Sequence, residues 1–217
     1  MRRFILWDHD GVLVDTERWY FAATRDSLAD LGIRLDQAAY LRFMTEGRSC
    51  WDLARQAGHS EARVELQRSR RDGLYRDYLR SKPIEIDGVL ETLRELHGAY
   101  RMAIVTTSRR EDFALIHRSR SLVEYFELVV TIEDCARPKP HPDPYLEALR
   151  RLGARPDESF AIEDSARGLR AATAAGIECI VVKSEFTASQ DFSGAWGVLD
   201  SVREVPGILA AAARRCS

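Results

Sequence analysis

Four acids stand in two tight pairs in this chain of 217 residues: Asp8 and Asp10 in Trp7-Asp8-His9-Asp10-Gly11, and Glu163 and Asp164 in Ile162-Glu163-Asp164-Ser165. Each pair follows a short apolar run. Asp8 and Asp10 are two apart, so on an extended chain their side chains point the same way. If the two runs are strands of one parallel sheet, the four carboxylates converge beyond its carboxyl edge. Left alone they would repel and raise one another's pKa. A divalent cation removes that cost. Mg²⁺ suits the set, because it takes one or two carboxylates and keeps positions for water and a phosphate oxygen. A third apolar run ends Val105-Thr106-Thr107-Ser108, three hydroxyls that can donate to phosphate, and a turn into a following helix adds N–H groups for an anion. Lys139 lies in Arg137-Pro138-Lys139-Pro140-His141-Pro142-Asp143-Pro144, where prolines stiffen the loop that carries the cation. Carboxylates, a metal, hydroxyls and a fixed lysine compose a phosphoryl-transfer site.

The elements that must position these residues can be read from apolar patterning. Phe4 to Trp7, Met102 to Thr106, Leu128 to Thr131, Phe160 to Ile162 and Cys179 to Val182 are near-continuous apolar runs. Strands buried on both faces of a parallel sheet read that way. Helical patterns lie between them, over Val89 to Leu96, Asp112 to Arg120, Pro144 to Leu152 and Ala166 to Ala175. Asp143 before Pro144 reads as an N-cap with proline at the first helical position. Gly153 and Gly176 stand where helices should stop. The alternation predicts an α/β fold with a doubly wound, Rossmann-like parallel sheet.

The first two strands are separated by far more chain than one crossover uses. That stretch reads as entirely helical. Trp19, Ala23, Leu28 and Leu31 share a face before Gly32. Asp36 opens a second helix, and Ser49 with Asp52 resembles a capping box for a third. A longer helix is predicted from Ser60 to Leu79. The domains expected are therefore an α/β core of residues 1–15 and 85–217 and a helical insert of residues 16–84. Signals are weakest after Ser184.

Bulk properties exclude several classes. Lys and Arg number 32 against 34 Asp and Glu, a net charge of −2 with no basic excess for nucleic acid. Apolar residues are 45% and charged residues 30%, the balance of a globular protein with a core. No apolar run approaches a membrane span. Asp8, His9 and Asp10 interrupt the apolar N-terminus too early for a signal peptide. Cys50, Cys135, Cys179 and Cys216 are scattered, with no C-x-x-C pair. These features predict a reduced, cytoplasmic protein, expected to be a monomer.

The motifs resemble a known family. Asp8-x-Asp10-Gly11-Val12-x-x-Asp15, then Thr106 after a hydrophobic strand, then Lys139-Pro140, then Glu163-Asp164-Ser165-x-x-Gly168 are similar, in order and spacing, to the four motifs of the haloacid dehalogenase-like hydrolase superfamily. The insert after Asp15 resembles the helical cap of its subclass I, in the branch with β-phosphoglucomutase, phosphoglycolate phosphatase and small sugar-phosphate phosphatases. The resemblance implies that Asp8 is a nucleophile forming an aspartyl-phosphate. It implies that Asp10 is the general acid for the leaving group, then the base for water. Thr106, with the Thr107 N–H, would hold the phosphoryl group, and Lys139 would balance its charge. Mg²⁺ would be held by Asp8, the Asp10 carbonyl and Asp164, with Glu163 direct or through water. Family dehalogenases lack an acid at the position of Asp10, so phosphate-ester chemistry is favoured. The expected function is a Mg²⁺-dependent phosphatase of a small phosphorylated metabolite, the cap closing over it. The alternatives are a sugar phosphomutase and a non-catalytic domain that binds phosphorylated ligands.

Further residues border this set. Ser108 and Arg109 are candidates to line the pocket. Arg48, in Gly47-Arg48-Ser49, is a candidate to grip a second anionic group on the substrate. Tyr20 replaces a histidine that assists the mutase in β-phosphoglucomutase, and either contacts substrate or packs the insert. His9, by strand alternation, should point away from Asp8 and Asp10 as a satisfied buried histidine. Asp15 is read as a brace of the turn, and His141 as exposed or structural.

Overall fold

The computed structural model describes residues 2–46 and 48–215, so Gly47 and Cys216 of the sequence reading lie outside it. The chain divides into two compact units, one over Met1–Asp15 and Glu85–Ser217, the other over Thr16–Ile84.

The first unit is a six-stranded sheet in the order β3-β2-β1-β4-β5-β6, every adjacent pair parallel. The strands are β1 (Phe4–Trp7), β2 (Arg101–Val105), β3 (Leu128–Val130), β4 (Ser159–Glu163), β5 (Glu178–Val182) and β6 (Gly197–Leu199). Alternate residues feed opposite layers. Ile5, Trp7, Met102, Ile104, Phe160 and Ile162 pack on one face with Leu93 and Phe113. Phe4, Leu6, Ala103, Val105 and Ala161 pack on the other with Tyr145, Leu149 and Leu169. Both layers are buried, which is why each strand carries no polar alternation. The strand order reverses between β1 and β4, the switch point at which open α/β sheets bind ligands.

β6 escaped the sequence reading because it is a three-residue edge strand whose Val198 is exposed. Two other local expectations also fail. The helix expected over Asp112 to Arg120 runs Arg110–His117. Its start is fixed from a distance, since the Arg110 N–H donates to both Glu133 carboxylate oxygens at 3.2 and 3.1 Å. Asp143 is not an N-cap. It is the first residue of the helix Asp143–Leu152, and its carboxylate receives the Arg137 guanidinium at 2.9 and 3.2 Å. By contrast, Ser165 caps the helix Ala166–Ala174 by accepting from the Gly168 N–H at 3.1 Å.

Among the described residues, the second unit holds four helices, Glu17–Ala29, Gln37–Thr45, Asp52–Gln56 and Glu61–Ser81. The first and last pack together around Ala23, Leu28, Val64 and Leu79. Asp36 and Ser60 act as N-caps. The capping box at Ser49 does not form; the Ser49 hydroxyl accepts from the Trp51 N–H instead, at 3.3 Å. Among the described residues, no helix is long and apolar enough to cross a membrane.

Candidate active site

The sheet register brings the two acidic pairs together. Trp7 lies opposite Ile162, so the next residues, Asp8 and Glu163, are neighbours at the carboxyl edge. The Asp8 N–H extends the ladder by donating to the Ile162 carbonyl at 2.8 Å, and the Thr106 N–H does the same to Val130 at 2.9 Å. Backbone pairing therefore holds both residues on rigid strand ends.

Lys139 is the hub of the buried set. Its Nζ donates to Asp8 Oδ1 at 2.6 Å, to Glu163 Oε1 at 2.6 Å and to the Val105 carbonyl at 2.8 Å. All three ammonium protons are thus used. The Tyr145 hydroxyl donates to the same Glu163 oxygen at 2.6 Å. Burial alone would lower the Lys139 pKa, but Asp8 and Glu163 outweigh it and push the pKa up to about 12. Burial, reinforced by Glu163, holds the Tyr145 phenol well above its ordinary value, so it keeps its proton and donates. Two glycines make room for these acids. A Cβ on Gly168 would lie 1.9 Å from the Glu163 carboxyl carbon. A Cβ on Gly11, whose φ is +85°, would lie 2.2 Å from Asp164 Oδ2.

Asp8, Glu163 and Asp164 each offer an oxygen within 4.8 Å of the others. Hard oxygen donors in this number, with Gly11 leaving the space beside Asp164 open, fit a small divalent cation. Burial, then Glu163, raises the Asp8 pKa from 3.8 to about 7, Lys139 opposing and Asp10 adding. Between those two values the folded chain holds a proton that the unfolded chain has lost. The cation-free protein therefore loses stability as pH rises through that window. A cation must displace the same proton. Mg²⁺ binding measured by calorimetry is expected to tighten from about pH 5 to about pH 8 with proton release. An affinity flat across that range would contradict the assignment.

The Asp10 carboxyl sits on the hydroxyl motif. Ser108 Oγ donates to Asp10 Oδ2 at 2.6 Å and Thr106 Oγ1 donates to it at 3.2 Å. The Ser108 N–H in turn donates to Thr106 Oγ1 at 2.9 Å. Thr107 is half-buried, with its Oγ1 3.5 Å from the Arg167 guanidinium. Arg109 is exposed at the N-cap of the Arg110–His117 helix. Ser184, absent from the sequence reading, donates to Asp164 Oδ2 at 3.2 Å. Tyr20 and Arg48 belong to the helical unit. There the Arg71 guanidinium lies over the Tyr20 ring at 4.3 Å, and Arg48 pairs with Glu46 at 3.0 Å.

The sequence profile described as "Haloacid dehalogenase-like hydrolase" matches residues 5–182, which span every residue of this constellation except Ser184. The chain belongs to that family. As a haloacid dehalogenase-like hydrolase it has relatives along nearly its whole length. Protein CbbY of Rhodobacter capsulatus is 32% identical over 210 residues, 90% of this chain and 92% of that one. Fructose-1-phosphate phosphatase YqaB of Escherichia coli is 27% identical over 187 residues, 82% of this chain and 95% of that one. CbbY from Rhodobacter sphaeroides, solved with phosphate and, as a mutant, with xylulose-(1,5)bisphosphate, superposes with TM-score 0.79 at 28% identity, covering 94% of this chain and 96% of that one.

Proposed function

We propose that this hydrolase is a Mg²⁺-dependent phosphatase of small phosphorylated metabolites, sugar phosphates foremost, working through an aspartyl-phosphate on Asp8. The observation that carries the reading is the division of labour between two neighbouring acids. Asp8 Oδ1 is pinned by Lys139 at 2.6 Å, while Asp10 is turned onto Ser108 and Thr106. One carboxylate is oriented as a nucleophile and the other is set to carry a proton.

Asp8 attacks phosphorus, an O–P bond forms, and the ester O–P bond breaks. Protonated Asp10 gives its proton to the departing oxygen, as an ester of an ordinary alcohol requires. Asp10, now a carboxylate, then takes a proton from water as that water attacks the aspartyl-phosphate. Phosphate leaves and the Asp8 carboxylate is restored. Thr106 and the Thr107 N–H hold the phosphoryl group. Lys139 opposes the burial that disfavours the Asp8 carboxylate and offsets the charge gathered beside it. Asp8, Asp164 and the Asp10 carbonyl would hold Mg²⁺, with Glu163 behind them, and the ion would supply charge neutralisation to the phosphoryl group. The substrate class rests on the phosphorylated sugars named for YqaB and CbbY. The working form is taken to be a cytoplasmic monomer.

The test is phosphate release from p-nitrophenyl phosphate with Mg²⁺, then from a panel that includes fructose 1-phosphate and xylulose 1,5-bisphosphate. Turnover that a chelator abolishes is the expected result. An isomerised sugar phosphate in place of free phosphate would make the protein a mutase. No turnover of any ester with the cation bound would overturn the enzyme reading.

A further inference from the structure

We propose that the turn of residues 184–190 is a latch that fixes the Asp164 carboxylate and so makes the cation site selective for Mg²⁺ over Ca²⁺. This rests on the Mg²⁺-dependent phosphatase reading and adds to it the residues that decide which ion the site takes.

The turn follows β5 and reaches Asp164 through the sheet register. Glu163 lies opposite Val181, so Asp164 and the residues after β5 leave the carboxyl edge side by side. The Lys183 N–H extends the pairing by donating to the Leu199 carbonyl at 2.9 Å. Ser184 comes next, and its Oγ donates to Asp164 Oδ2 at 3.2 Å. Gly11 packs against the same carboxylate, where a Cβ would lie 2.6 Å from its carbon. Asp164 is thus confined by a bare backbone and oriented by a hydroxyl.

Ser184 is itself held in place. Its N–H donates to Thr187 Oγ1 at 3.1 Å, and the two hydroxyl oxygens lie 2.9 Å apart. With the Ser184 hydrogen given to the carboxylate, the Thr187 hydroxyl is the donor between them. The Thr187 and Ala188 N–H groups both donate to the Ser184 carbonyl, at 3.1 and 3.0 Å. Phe186 and Thr187 are buried, which anchors the turn in the core unit. Its far end grips the acidic loop a second time, because Gln190 Oε1 accepts from the Ala166 N–H at 2.8 Å. That N–H belongs to the first residue of the helix Ala166–Ala174 and has no acceptor within the helix. One segment distant in sequence therefore clamps residues 163–166 at two points.

The clamp matters differently to two ions. Mg²⁺ demands near-ideal octahedral geometry at short distances, whereas Ca²⁺ takes longer and more irregular coordination. A carboxylate held in one orientation meets the stricter demand. One that can turn serves Ca²⁺ nearly as well and Mg²⁺ poorly. Ser184, Thr187 and Gln190 are positioning residues, since the oxygens within reach of one ion come from Asp8, Glu163 and Asp164. Hydrogen bonds behind a metal ligand are worth roughly 10–100-fold in affinity.

The experiment titrates Mg²⁺ and Ca²⁺ separately into the cation-free chain by calorimetry, without substrate. In Ser184→Ala, Mg²⁺ affinity is expected to fall about tenfold and Ca²⁺ affinity by about twofold or less. Ser184→Thr keeps the hydroxyl and should recover most of the Mg²⁺ affinity. Gln190→Leu releases the far end without touching the carboxylate. It should show the same bias to a smaller degree, and it reads the latch if Ser184→Ala does not fold. Phosphate release from p-nitrophenyl phosphate by Ser184→Ala should recover its kcat at saturating Mg²⁺, because the reacting groups are intact. Equal losses for the two ions, a threonine variant as weak as the alanine one, or a kcat that stays low at saturating Mg²⁺ would overturn the proposal. Variants that match an unaltered chain binding Mg²⁺ defeat the latch alone. An unaltered chain that binds no Mg²⁺ defeats the metal-dependent phosphatase reading with it.

Discussion

Asp8→Asn is expected to remove turnover, by on the order of 10⁴-fold or more, and to leave the cation-free protein at least as stable as before. The first half follows from the loss of the attacking carboxylate. The second follows from burial. Asp8 is pushed up to about 7, which means the folded chain resists its ionised form. The amide has nearly the same shape and no charge to desolvate. Lys139 keeps Glu163 and the Val105 carbonyl as partners. Phosphate-release rates and thermal melting in a chelator at about pH 8 check both halves. A melting point several degrees lower in the variant would contradict this account of the site's electrostatics.

Lys139→Met should do the reverse and damage both properties. The Asp8 and Glu163 side chains are 11% and 0% exposed, and each has an oxygen 2.6 Å from Nζ. Removing the cation leaves two buried carboxylates facing each other. Breaking one buried pair costs about 3–5 kcal/mol, and catalysis should fall by roughly 10³ for loss of charge beside the transferring phosphoryl group. Adding Glu163→Gln to Lys139→Met should restore much of the stability, because one unpaired charge is gone, and none of the turnover. Urea denaturation of the single and double variants without cation reads the cycle. A loss under about 1 kcal/mol for Lys139→Met would mean that the pair behaves like a surface ion pair.

The first five strands were legible because burial between two layers writes a near-continuous apolar run, as Phe4–Trp7 and residues 179–182 illustrate. The acids, hydroxyls and lysine were legible because their chemistry is carried by residue type at strand ends. What escaped depends on partners far along the chain. Tyr145 looks like a helical packing residue until β4 brings Glu163 to its hydroxyl. His117 is one polar residue in a mixed helix until β1 places His9 against it. Asp143 has the sequence of an N-cap, but Arg137 outcompetes the helix N–H groups for its carboxylate. β6 and Ser184 fall where the chain is short of apolar signal, and only the sheet edge and Asp164 reveal them.

The central claim is that Asp8 carries the phosphoryl group, and covalent trapping tests it most directly. Asp10→Asn protein mixed with p-nitrophenyl phosphate and Mg²⁺ should form the intermediate, because that leaving group needs no proton, and should hydrolyse it slowly, because the base for water is gone. Acid quenching, borohydride reduction and peptide mass spectrometry are then expected to find Asp8 converted to homoserine. Release of p-nitrophenol with Asp8 unmodified, or the modification on any other residue, would contradict the account.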